Sequence, residues 1–171
     1  MKKILVAGIG NIFFGDDAFG CEVASRLGRR SLPDGVTVKD FGIRSYDLAY
    51  ELMDNYDATI LVDATPQGNA PDTIYLIEPD IKKLDDLHEE AVNSHSMNPV
   101  RVLQLVRSLG GNAGWLRVVG CEPAVLDSEE GAMGLSEKVQ AAVAPAIEII
   151  ESLIREILGA TRNRATVDSQ T

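Results

Sequence analysis

A chain of 171 residues with 45% hydrophobic and 25% charged content is sized for one domain with a full core. Its formal net charge of −10 excludes nucleic acid as a partner, because phosphate neutralisation needs a basic face. No apolar run reaches membrane-spanning length, and two cysteines, Cys21 and Cys121, make no disulfide framework, so a reduced, cytoplasmic protein is the expectation.

The opening stretch, Lys2 to Gly20, organises the chain. The run Ile4-Leu5-Val6-Ala7 has the β-branched content of a strand buried on both faces. It is too short, and too soon followed by acids, for a signal peptide. A turn on Gly8 and Gly10 follows, then Asn11, Ile12-Phe13-Phe14, Gly15 and the pair Asp16-Asp17. A dinucleotide loop would need a third glycine where Phe13 stands, and two carboxylates would repel phosphate, so the nucleotide reading is weak. The acids suit a helix cap, a cation, or one of each.

Helical spacing of Phe19, Val23, Ala24 and Leu27 predicts a helix over 17–30. The chain then reads as a turn over 31–35, a strand over 36–41 and a helix over 46–55 with Ser45 as candidate N-cap. Ala58 to Ala64 is a buried strand interrupted by Asp63, and Thr73 to Ile77 a fourth. The link between those two is too short for a crossover helix, which predicts a hairpin with one antiparallel strand. Residues 80–94 carry no clear pattern. A helix is expected from Asn98-Pro99 to Leu109, a strand from Trp115 to Gly120 and a last helix from Ser136 to Leu158 with a kink at Pro145. One domain over 1–159 and a disordered tail over 160–171 are expected. The alternation of strands and helices predicts an α/β, three-layer α/β/α architecture around a mostly parallel five-stranded sheet.

In such sheets ligands sit beyond the C-terminal strand ends. Asp17, Asp40 and Asp63 fall there, with His95 at a helix entrance. Each has an ordinary alternative. Asp17 can cap a helix, Asp63 can accept backbone N–H groups, and His95 can sit on the surface. His88 reads as a solvated surface residue, and the cysteines as core packing. Jointly, two carboxylates and an imidazole make an open site for a borderline divalent ion such as zinc or nickel.

Gly8-Ile-Gly-Asn11, Gly15-Asp-Asp-Ala-Phe-Gly20, Asp40-Phe-Gly42, Leu61-Val-Asp-Ala64, Ser94-His95 and Val119-Gly-Cys-Glu-Pro123 together resemble the maturation endopeptidases of nickel–iron hydrogenases. The likeness spans about residues 3–158. It implies a twisted five-stranded sheet between helices, and a hydrolase that removes a C-terminal extension from the hydrogenase large-subunit precursor after nickel insertion. It implies Asp17, Asp63 and His95 as the catalytic, metal-engaging residues, with Asp16 or Asp40 as accessories. Nickel would be supplied by the substrate, and zinc could occupy the same ligands. The protein would dock transiently with its partner as a monomer or weak oligomer, away from nucleic acid and membrane. Two departures stand out: Asp40-Phe41-Gly42 replaces the Asp-Gly-Gly of many members, and the first-loop ligand, Glu in some members, is Asp here. A non-catalytic nickel-delivery module is the alternative, although the chain lacks histidine-rich or cysteine-rich tracts.

Overall fold

The computed structural model describes residues 1–80, 99–126 and 133–168, with side chains through residue 159. The strands are β1 (Ile4–Ile9), β2 (Val36–Gly42), β3 (Ala58–Ala64), β4 (Ile74–Ile77) and β5 (Trp115–Cys121). The helices are α1 (Phe19–Leu27), α2 (Ser45–Leu52), α3 (Pro99–Ser108) and α4 (Glu137–Asp168), and a 3-10 turn over Gly15–Ala18 precedes α1. The strands form one sheet in the order β2-β1-β3-β5-β4. β1, β2, β3 and β5 run parallel, and β4 is antiparallel to β5.

Strand alternation divides the core in two. Ile4 and Val6 of β1 and Ile60 and Val62 of β3 face α1 and α4, meeting Phe19, Val23, Leu27, Val143, Ile147 and Ile150. Leu5, Ala7, Ile9 and Leu61 face α2 and α3, meeting Leu48, Leu52, Val102 and Val106. The three-layer α/β/α architecture expected from the sequence is the one observed. β1 and β3 are central and buried at every position, which is why they read as continuous apolar runs.

The expected hairpin between β3 and β4 does not form. β4 is antiparallel, but it pairs with β5, which lies between it and β3. The connecting loop therefore reaches past one strand. Asp72 and Gly68 take positive φ angles of 72° and 84° along it. Glu122, at the end of β5, accepts the backbone N–H groups of Gln67 and Asn69, both at 2.7 Å. The loop is thus hung from the strand that displaces the hairpin.

Two boundaries also differ. Ser45 is the first residue of α2 rather than its cap, and Arg44 at the cap position makes no side-chain cap hydrogen bond. α4 is continuous through Pro145 and its helical backbone runs to Asp168, past the expected end at Leu158. Helical hydrogen bonds are local, so a stretch without proline can stay helical beyond the apolar stripe that packs.

Candidate functional site

The order β2-β1-β3 makes the chain leave β1 in one direction and return to build β3 on its other side. The crevice at such a switch point, beyond the strand C-termini, is where open α/β sheets hold ligands. The loop after β1 carries Asp17, and the end of β3 carries Asp63, so the two flank it. In register, Gly8 of β1 lies opposite Asp40 of β2 and Val62 of β3. Asp40 therefore stands at the same rim, one strand away.

Glycines bring α1 down onto this rim. A Cβ on Gly8 would lie 2.4 Å from the Gly20 carbonyl oxygen, and one on Gly20 would lie 2.1 Å from that of Val62. Real side chains do not survive such distances, so helix and strand backbones touch because both residues are glycine. Cys21, the next residue on α1, has its Sγ 3.4 Å from the carbonyl oxygen of Gly10.

Asp17 is half-buried. Its Oδ2 accepts the Asn11 backbone N–H at 2.8 Å. Burial raises its pKa against that bond. Asp63 is buried, with 3% of its surface exposed. Among the described residues its Oδ1 has no hydrogen-bond partner. Burial first, and the Asp17 charge second, push its pKa well above the usual carboxylate range, although the Ala64 N–H works the other way. Two carboxylates, one buried and one half-buried, that disfavour each other's charge are poorly satisfied by protein alone. A cation between them would relieve both the unpaired oxygen and the repulsion.

Asp40 accepts the Gly42 N–H at 2.9 Å and its side chain is exposed. Asp16 points into the protein and is fully buried. Its Oδ2 accepts the N–H groups of Ala124 and Val125, each at 2.8 Å, and the Ser136 hydroxyl at 2.9 Å. Its Oδ1 accepts the Ser136 N–H at 2.7 Å. This carboxylate ties the start of α1 to the segment after β5, and all its capacity is used there. Cys21 and Cys121 are buried and free. Burial and the neighbouring Asp40, Asp17 and Asp63 charges raise the Cys21 pKa, and Cys121 is pushed up to about 12, so both stay thiols.

His95 and His88 lie outside the described residues. α3 runs into the start of β5, so its first residue, Pro99, lies toward the rim where β3 ends. Among the described residues no three His, Cys, Asp or Glu side chains group closely enough to hold a metal ion. The structure therefore brings Asp17 and Asp63 into electrostatic contact and sets Asp40 beside them, while Asp16 is drawn elsewhere. Sequence reasoning gave Glu122 no role. Its signals were its place in the Val119-Gly-Cys-Glu-Pro123 motif and its position directly after a buried strand.

No helix among the described residues is long and apolar enough to cross a membrane. The hydrogenase maturation protease family profile matches residues 21–153. The hydrogenase 2 maturation protease of Escherichia coli strain K12 is 32% identical over 156 residues, covering 90% of this chain and 92% of the relative. The solved structure of a hydrogenase maturating endopeptidase from E. coli superposes with a TM-score of 0.74 at 31% identity, over 90% of this chain and 93% of that one. The hydrogenase 2 maturation peptidase of a Thaumarchaeota archaeon gives a TM-score of 0.66 at 31% identity, over 92% and 99%. Profile, sequence and fold agree over nearly the whole length, so the chain belongs to the hydrogenase maturation protease family and is a hydrolase of peptide bonds.

Proposed function

We propose that this protein is the endopeptidase that removes the C-terminal extension of a nickel–iron hydrogenase large-subunit precursor once nickel has been inserted. Asp17, Asp63 and His95 engage that nickel, which arrives as part of the substrate. The observation that carries the reading is Asp63: a buried carboxylate whose Oδ1 has no partner among the described residues, held beside a second carboxylate at the crevice mouth. A precursor without nickel offers this pair no positive charge. A loaded precursor does, so recognition of the cargo and placement of the scissile bond become one event.

In the bound complex Asp17 and Asp63 give up their elevated affinity for protons and become charged acceptors. Asp17 is oriented for this by the Asn11 N–H, and Asp63 by the rigid end of β3. A water in the crevice adds its oxygen to the scissile carbonyl carbon as a carboxylate takes its proton. The same proton then passes to the leaving amine nitrogen, and the C–N bond breaks. Asp40 is the carboxylate at this rim whose side chain is exposed, and it is the proposed base. Asp16 is engaged by its four hydrogen bonds and positions the loop instead.

The test is cleavage of nickel-loaded and nickel-free large-subunit precursor by wild type, Asp17→Asn, Asp63→Asn and His95→Ala, each checked for folding by circular dichroism. Cleavage of the loaded precursor alone, lost in all three folded variants, is the expected result. Equal cleavage of nickel-free precursor would remove nickel recognition from the account. If no precursor is cut while the protein binds nickel tightly, the delivery module replaces the protease reading.

A further inference from the structure

The loop between β1 and α1 displays three consecutive apolar side chains to solvent: Ile12 at 48%, Phe13 at 59% and Phe14 at 48% exposure. The loop is not loose. Phe14 N–H donates to the Asn11 carbonyl, Phe13 N–H to the Asn11 side-chain oxygen, and Asp17 N–H to the Phe14 carbonyl. These three hydrogen bonds hold the aromatic pair in one turn, next to Asp17.

A second apolar pair lies on the segment after β5, with Val125 38% and Leu126 37% exposed. Asp16 clips the two segments together. Its N–H donates to the Val125 carbonyl at 2.8 Å, and its carboxylate accepts the Ala124 and Val125 N–H groups. The clip ties together the two segments that carry these apolar side chains, and a Cβ on Gly15, next to Phe14, would stand 3.5 Å from Val125 Cγ1. Large apolar side chains exposed on neighbouring segments in this way mark an interaction site. The fixed backbone beneath it lowers the ordering cost of using it.

We infer that the ridge of Ile12, Phe13, Phe14, Val125 and Leu126 is the docking surface for an apolar segment of the polypeptide substrate, adjoining the bond to be cut. The inference rests on the protease reading for the identity of the partner. Its placement follows from continuity: the ridge and Asp17 share one hydrogen-bonded turn, so a protein engaging the crevice meets the ridge.

Two independent pairs of substitutions test it, Phe13→Ser with Phe14→Ser, and Val125→Ser with Leu126→Ser. The first pair leaves backbone hydrogen bonds and buried side chains untouched, and circular dichroism and melting temperature check both. KM for the nickel-loaded precursor is expected to rise about tenfold in each pair, the scale of lost aromatic interface anchors, with kcat within about twofold. Unchanged KM in both folded pairs would overturn the inference. So would a wild-type dimer in sedimentation velocity that the substitutions dissociate without changing KM, since the ridge would then serve a second copy. If wild type cuts nothing, the protease reading fails separately. Binding of the uncut precursor to immobilised wild type and variants still decides the ridge: retention by wild type and loss in both pairs supports it, and equal binding overturns it.

Discussion

A Cβ on Gly20 would stand 2.1 Å from the carbonyl oxygen of Val62. This contact between α1 and β3 sets the distance between the loop that carries Asp17 and the strand end that carries Asp63. Asp17 lies three residues before Gly20, and Asp63 follows Val62 directly. Gly20→Ala should therefore displace α1 and open the carboxylate pair. We expect a loss of at least about 2 kcal/mol of stability from overpacking against backbone, which cannot move aside as a side chain can. Urea denaturation gives the number, and cleavage should fall more than the folded fraction does.

Asp63 should weaken the fold it serves. Its folded pKa lies above its unfolded value, so the folded state holds the proton more tightly. That contribution is fully present below the unfolded pKa, near 3.9, and is lost as pH rises through the folded pKa. Asp63→Asn removes the charge and should raise the melting temperature in chelator at pH 8 by about 2–4 °C, on the order of 1 kcal/mol for a chain of this size. The gain should shrink toward pH 4, and cleavage should vanish at every pH. A gain that grows on acidification would contradict the sign.

Asp16→Ala should act on the fold. It removes a fully buried carboxylate that accepts four hydrogen bonds and strands the N–H groups of Ala124, Val125 and Ser136. Losses of about 2–4 kcal/mol are expected from unsatisfied buried donors. Asp16→Asn should recover only part, because its amide NH2 meets donors. The check is melting temperature together with hydrogen exchange at Ala124 and Val125, which should accelerate in step.

Glu122→Ala should release the loop between β3 and β4. The N–H groups of Gln67 and Asn69 lose their acceptor oxygens. Amide exchange at those two positions should rise by at least about tenfold, while amides of β1 keep their protection. Global stability should fall by about 1–3 kcal/mol, since Glu122 is itself buried.

Much of the fold is local and was legible. Ala58–Ala64 matches the expected strand at both ends, because a strand covered on both faces must be apolar throughout and a single Asp stands out in it. The candidate rim was legible for the same reason: strand ends can be read from where apolar runs stop. The partner of β4 was not. A four-residue strand carries no mark of which edge it joins, and a short link permits a hairpin without requiring one. Insertion of β5 decided it, with Glu122 supplying the anchor for the longer path.

The division between Asp16 and Asp17 shows the same limit at the scale of one residue. The sequence alone determined that two acids stand at the end of the loop after β1, before a helix. Either could have faced the crevice. Only the tertiary structure sent Asp16 inward, because the donors that satisfy it come from Ala124, Val125 and Ser136, more than a hundred residues away in the chain. Asp17, left with one N–H from Asn11, remains for the crevice.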